Sequence, residues 1–466
     1  MPFAATGGLG DVMGSLPAAV AAADRELDVR VVMPLYGQVS EQWRAQMTTE
    51  TVFEVGLAWR TQYCGVLSLV KDGVKYYFID NEYYFNRPTL YGSFDDGERF
   101  AFFSKATLEM LSRLDWYPDV INANDWQSAL AVIYLKCKYS QRPEYSGIKT
   151  VYTIHNIEYQ GKYDHSILSS VFELDWWQNT VDYDGCINLM KGAIVCTDKI
   201  STVSPRYAEE IQGAEHSHGL SGILRDNAYK LTGILNGIDY EYYNPEKDTS
   251  IAKTFTCDSL EGKYENKRAL QREIGLPETN EIPIVSIVSR LASHKGLDII
   301  TEMIRPLLKN CRFQLVVLGK GEGVYESFFT QLEREYPDRV RALMTYDREL
   351  AKRIYAASDI FLMPSKSEPC GLSQMIASRY GVIPVTRETG GLYDSIKGYW
   401  EDGDKIMGNG FTFANYSAEE LGDRSAAAIA LWNNEKKRKK LVKKIMCTDF
   451  SWKASAKKYI EMYKSI

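Results

Sequence analysis

The chain has 466 residues, 45% of them hydrophobic and 25% charged, and a formal net charge of −6 at pH 7. That length exceeds one ordinary core and predicts two or more domains. The acidic balance lacks the electrostatic footprint of a nucleic-acid or anionic-membrane partner, and no apolar run reaches membrane-spanning length. The eight cysteines are scattered without a CxxC pair. That pattern argues for reduced thiols in a cytoplasmic protein rather than a disulfide or zinc framework.

Taken in order, the chain opens almost directly on a glycine-rich turn, Thr6-Gly7-Gly8-Leu9-Gly10, followed by an alanine-rich helix through Ala23. Such a turn normally follows a buried strand, and that first strand is expected to be missing here. Residues 27–36 read as a strand, and residues 52–80 alternate like hairpins around Lys71-Asp72-Gly73. An aromatic loop and an amphipathic helix follow. Residues 118–136 and 148–161 are each a strand ending in polar residues, and strand ends are where open α/β sheets hold ligands. Asn122, Asn124, Asp125, Trp126, His155 and Asn156 fall there. His155 reads equally as a hydrogen-bonded structural histidine.

Residues from about Pro245 to Glu281 are polar and read as a helical linker. A second α/β series then begins, with strands at 282–290, 313–319, 339–346, DIFLMPS and VIPVTR and helices between them. That alternation predicts a parallel, right-handed sheet. Met363–Leu392 holds two strand-turn-helix units in succession, which set two helix N-termini, and hence free N–H groups, at one sheet edge. Glu368 stands just ahead of the first helix. Arg290 and Lys295, in SRLASHKG, follow the first strand of this series, where a guanidinium fork and a compact ammonium suit phosphate oxygens. Their bland reading is ordinary salt bridging. Phosphate beside a hydroxyl-binding carboxylate is a nucleotide-sugar pattern, and no metal ion is required by it. Asp402-Gly403-Asp404 reads as a surface turn, LGKGEG (318–323) as a plain βα turn, and Lys436–Lys444 as a solvated helix face. The tail is a helix with apolar spacing at Ala456, Tyr459, Ile460 and Tyr463.

Eight motifs carry a resemblance: TGGLGDV, NDWQ, TIHNIEYQG, KISTVSPRYAEEI, LNGID, SRLASHKG, PSKSEPCGLSQ and TGGL. In order and spacing, along nearly the whole chain, they resemble the signatures of bacterial glycogen synthases and plant starch synthases. The resemblance implies an α/β protein of the GT-B class, two facing Rossmann-like domains with parallel sheets and an interdomain cleft. It implies an N-terminal acceptor-side domain over 1–245, a linker over 246–280, a donor domain over 281–450, and a helix over 451–466 crossing back. The implied reaction is retaining transfer of glucose from ADP-glucose to the non-reducing end of an α-1,4-glucan, with no cofactor and no metal.

Carried over by motif, Glu368, His155, Arg290 and Lys295 are the catalytic candidates. Thr6, Gly7, Gly8, Asp11, Asn236, Tyr346, Cys370, Gly371, Leu372, Thr389, Gly390 and Gly391 are expected on the donor, with Tyr346 stacking on adenine and the 371, 372, 390 and 391 amides near the diphosphate. Asp125, Trp126, Asn156, Tyr159 and Gln160 are expected on the acceptor side. Two departures stand out. Ala5 occupies the place of a family lysine expected at the donor phosphate, and Asn124 replaces a commoner histidine, a mild variant. Ala5 and the missing first strand keep open a catalytically impaired or non-catalytic glucan-binding relative, and shared Arg, Lys and Glu368-like features keep open another GT-B enzyme using a UDP-sugar.

Overall fold

The computed structural model describes residues 3–5 and 7–466, which fall into two compact units. Unit 1 comprises the chain to Ile234 together with Trp452–Ile466, and unit 2 comprises Leu235–Ser451.

Unit 1 opens with helix α1 (Gly7–Ala23). The glycines at 7, 8 and 10 lie inside its first turn, so the glycine-rich turn expected there is helical. Strands β1 (Arg30–Pro34), β2 (Thr48–Leu57), β3 (Arg60–Lys71) and β4 (Val74–Asp80) form one sheet in the order β1-β4-β3-β2. The β3–β4 hairpin turns on Asp72 and Gly73, with φ of 52° and 78°. Both lie in the left-handed region that a two-residue hairpin loop requires, which is why Asp-Gly sits there.

Strands β5 (Val120–Asn124), β6 (Lys149–Ile154), β7 (Lys199–Thr202) and β8 (Leu231–Gly233) make a second, wholly parallel sheet in the order β8-β7-β6-β5. Helix α1 serves both sheets. Val12, Leu16 and Val20, spaced four apart on one face, pack with Val151 of β6 and with Trp452, Tyr459 and Ile460 of the C-terminal helix (Trp452–Lys464). Met13, Ala18 and Ala21 meet Val31, Val74 and Phe78 of the first sheet. Burial of this kind is worth roughly 1.5–3 kcal/mol per large apolar side chain, so α1 and the C-terminal helix are held by packing rather than by helix propensity.

In unit 2, the stretch 246–280 contributes helix α2 (Glu261–Glu273), which is not a detached linker helix. Its Lys263 is buried and donates to the carbonyls of Tyr355, Ala356 and Tyr380. The sheet that follows is six-stranded and parallel: β9 (Ile284–Val288), β10 (Gln314–Leu318), β11 (Val340–Leu343), β12 (Ile360–Met363), β13 (Ile383–Arg387) and β14 (Phe411–Phe413). Their spatial order is β11-β10-β9-β12-β13-β14. Every residue of β10 and β12 is buried, as continuous apolar runs covered on both faces must be. Counted along the unit this is the doubly wound order 3-2-1-4-5-6, whose winding reverses between β9 and β12. Ligand crevices in such sheets lie at that reversal, beyond the carboxyl ends of the strands.

Candidate active site

A cavity of about 190 Å³ opens at this reversal. It is lined by the carboxyl end of β9 with Arg290 and Lys295, and by Met363 at the end of β12 with Pro364 and Ser365 after it. The two loops are joined backbone to backbone. Gly296 has φ of 74°, and a Cβ there would lie 2.1 Å from the Pro364 carbonyl oxygen; only glycine permits the approach. A third loop, LGKGEG, backs the first. Leu291 N donates to Lys320 O, Glu322 N donates to Leu291 O, and the Glu322 carboxylate accepts from Ser293 N at 2.9 Å. The sequence reading of LGKGEG as a plain βα turn missed this support.

Glu368 is 7% exposed, and its Oε2 accepts from Lys295 Nζ at 2.7 Å and from Ser365 Oγ at 3.0 Å. A carboxylate this buried requires such partners. Arg290 is exposed at the cavity rim. The SEPCG and TGG loops are pressed together: a Cβ on Gly390 would fall 2.0 Å from Glu368 O, and one on Gly391 2.1 Å from Cys370 O. The Gly391 N–H donates to Glu368 O and Pro369 O. It points into this loop contact, which corrects the expectation of a Gly391 amide aimed at a diphosphate. Gln374, fully buried, ties the region from below through Nε2 to Cys370 O, Gly371 O and Ser395 Oγ. The helices that start here are short, α3 (Ser373–Arg379) and α4 (Gly390–Ser395), with Leu372 and Thr389 as their N-caps.

Burial pushes the Cys370 thiol up to about 12, with the Asn236 backbone against it. Asn236 itself is buried, and its Oδ1 has no hydrogen-bond partner. A buried amide oxygen without a donor is destabilising unless a ligand hydroxyl supplies one. Tyr346 is 76% exposed, its hydroxyl accepting from Arg348 Nε at 2.8 Å.

Unit 1 gathers a second set at the ends of β5 and β6. Asp125 has φ of 56° and ψ of −179°, a combination costing a non-glycine residue of order 1–3 kcal/mol. Its Oδ1 accepts from the backbone of His155 at 2.8 Å and more weakly from Asn156 at 3.4 Å. Burial raises the Asp125 carboxyl to about 7 against the opposing pull of these amides. His155 is buried, its ring Nε2 lies 2.9 Å from Asn124 Oδ1, and burial lowers its pKa to about 4. The imidazole is therefore neutral at pH 7, with Nε2–H directed at Asn124. Asn124, absent from the candidate set because it read as a mild variant, is the ring's partner.

The remaining acceptor-side candidates divide. Tyr159 is 52% exposed, and Asn156 Oδ1 accepts from Glu158 N. Trp126 packs edge-on to Phe100 at 5.2 Å and lies beneath Gly161. Gln160 uses its amide on Ile157 O, His218 O and Asn188 Nδ2. Both are buried framework, which corrects the expectation that they face a glucan. Gly7 and Gly8 are exposed in the first turn of α1 and Asp11 is half-buried, whereas Thr6 lies outside the described residues. Among the described residues no group of three or more His, Cys, Asp or Glu is arranged to hold a metal ion. No helix in the same set is long and apolar enough to cross a membrane.

Two α/β units that each contain a parallel sheet, one with cations and a buried carboxylate at its winding reversal, define a glycosyltransferase of the GT-B class. Comparison with known proteins agrees. Residues 1–226 match the starch synthase catalytic domain model, and residues 267–445 match the group 1 glycosyl transferase model. The chain is 46% identical to a glycogen synthase of Clostridium botulinum (strain Alaska E43 / Type E3), covering 100% of this chain and 97% of that one. Identity is 47% to the glycogen synthase of Clostridioides difficile (strain 630), again over 100% of this chain and 97% of the relative. The catalytic domain of starch synthase IV from Arabidopsis thaliana, solved with ADP and acarbose, superimposes with a TM-score of 0.89 at 35% identity. That match covers 100% of this chain and 97% of the plant domain. The chain belongs to the glycogen synthase and starch synthase family of glycosyltransferases, and neither a non-catalytic relative nor a different GT-B enzyme is favoured.

Proposed function

We propose that the chain transfers glucose from ADP-glucose to the non-reducing end of an α-1,4-glucan, with retention of configuration and without a bound metal. The observation that carries this reading is the Arg290, Lys295 and Glu368 cluster at the β9/β12 reversal. The donor's diphosphate engages Arg290 and Lys295, whose charge stabilises the negative charge that grows as the glycosidic phosphate bond breaks. Lys295 bridges toward Glu368, so the carboxylate that orients the sugar and the cation that holds the phosphate are set by one another. Asn236 Oδ1 supplies an acceptor for a donor hydroxyl, and Tyr346 offers its exposed ring to the adenine.

The residues of 1–245 serve the sugar and the acceptor. His155, neutral and turned by Asn124, lends its ring and backbone carbonyl to the developing oxocarbenium ion, and Asp125 positions the His155 backbone. The departing phosphate takes the acceptor's proton on the same face, so no separate general base is assigned. A cytoplasmic location and the absence of nucleic-acid or membrane partners belong to the same reading, supported by the acidic charge and scattered cysteines.

The test is incorporation of labelled glucose into a glycogen primer, with ADP-glucose and UDP-glucose compared, each with and without EDTA. Faster incorporation from ADP-glucose, unaffected by EDTA, is expected. Preference for UDP-glucose overturns the donor assignment, and EDTA-sensitive transfer overturns the metal-free one.

A further inference from the structure

Unit 2 holds a pair of thiols that the donor site does not use. Cys447 is the exposed residue at the C-terminal cap of helix α5 (Glu435–Met446). Its thiol points at Cys257 Sγ, 3.5 Å away and separated by 190 residues in sequence. Cys257 is partly exposed, in a turn closed by Ser259 N donating to Thr256 O. An ion pair between Lys443 and Asp258 at 2.5 Å joins the same two segments. A disulfide needs its sulfurs at about 2.05 Å, so an approach of about 1.5 Å suffices between two segments already clamped together.

We propose that Cys257 and Cys447 form a reversible disulfide, a modification site for low-molecular-weight disulfides such as oxidised glutathione. The Cys447 thiolate attacks one sulfur of the small disulfide, forming a mixed disulfide and releasing one small thiol, which takes up the proton that Cys447 lost. The Cys257 thiolate then attacks the Cys447 sulfur and expels the second small thiol, which takes the proton from Cys257. Two electrons pass from the protein to the oxidant, which leaves as two thiols.

The bond joins two supports of the helix that begins at the donor loop. Helix α2, a few residues beyond Cys257, places Lys263 Nζ 2.8 Å from Tyr380 O at the end of α3. Helix α5, just before Cys447, sets Met446 and Val442 where a Cβ on Gly381 would meet each at 3.0 Å. Oxidation therefore braces α3 from both sides, while Glu368, Cys370 and Lys295 keep their own contacts. The oxidised protein retains transferase activity and gains thermal resistance.

Reduced, folded protein is incubated with oxidised glutathione, then digested without reductant and analysed by mass spectrometry. The expected product is a peptide linking Cys257 to Cys447, lost on adding dithiothreitol, together with a rise in Tm of about 5 °C or more. Cys447→Ser and Cys257→Ser each abolish both the link and the Tm rise while leaving basal activity unchanged. A glutathione adduct on Cys447 without the link overturns the proposal, as does a link between other cysteines alone, or a linked protein with an unshifted Tm.

Discussion

Asp125 is one of the most constrained residues of the candidate site, holding left-handed φ, a half-buried side chain and two backbone donors on one oxygen. Its folded pKa, raised to about 7 from an ordinary value of 3.8, means that the folded state binds the extra proton across that interval. Asp125 thus favours folding at low pH, and that contribution is lost as pH rises through about 7. His155 works in the other direction, with a folded pKa of about 4 below the usual 6.5. Its contribution is present above 6.5 and lost as pH falls toward 4. Between pH 6.5 and 8 Asp125 loses stability with rising pH, whereas Lys263, lowered by burial to about 7, gains it. The Asp125 share is therefore read as the Tm of wild type minus that of Asp125→Asn, which should fall across the window; a difference that stays constant from pH 6.5 to 8 would refute the assignment. Asp125→Ala leaves the His155 amide without its acceptor, a loss of about 1–3 kcal/mol measurable by urea denaturation. Ala5 stands where the resemblance implies a lysine, and its Cβ lies 2.5 Å from where one on Gly10 would be. A charge-assisted contact is worth about 1.5–3 kcal/mol, so Ala5→Lys should raise kcat by about ten- to a hundredfold. An unchanged or lower rate would show that position 5 does not reach the donor.

At the scale of elements, what the sequence made legible follows from how each contact is specified. The strands of unit 2 were readable because a parallel strand buried on both faces is a continuous apolar run. Ile360–Met363 and Ile383–Arg387 lie within the stretches read as DIFLMPS and VIPVTR. The Asp-Gly hairpin was readable because its turn chemistry is local. Ser365, Gln374 and Asn124 were not, since each works by touching a group presented by folded neighbours, as Asn124 touches His155 across 31 residues. Trp126 and Gln160 were misplaced for the converse reason: a polar or aromatic residue at a strand end looks like a ligand contact until the packing beneath it is seen. Lys263 belongs to the same class, a charged residue in a polar stretch that ends as the buried donor to three carbonyls. Lys263→Ala strands the carbonyls of Tyr355, Ala356 and Tyr380 and opens a cavity. We expect a loss of about 3 kcal/mol or more in denaturant unfolding. A loss below about 1 kcal/mol would mean that those carbonyls find other donors.

At the scale of the molecule, two units of related architecture divide the candidate chemistry. Unit 2 carries the cations, the buried carboxylate and the unsatisfied Asn236 oxygen, and unit 1 carries a neutral histidine positioned by Asp125 and Asn124. The glycines of the TGG and SHKG loops have steric reasons that owe nothing to a ligand, namely the backbone approaches at Glu368, Cys370 and Pro364. Together they fix where Glu368 stands. In the proposed reaction Glu368, held by Lys295 and Ser365, orients the donor sugar for transfer to glucan. The direct measurement is incorporation of labelled glucose from ADP-glucose into glycogen by wild type and by Glu368→Ala, with circular dichroism and Tm as controls for folding. Transfer should be abolished in a variant that remains folded, whereas a folded Glu368→Ala protein with wild-type incorporation would contradict that role for Glu368.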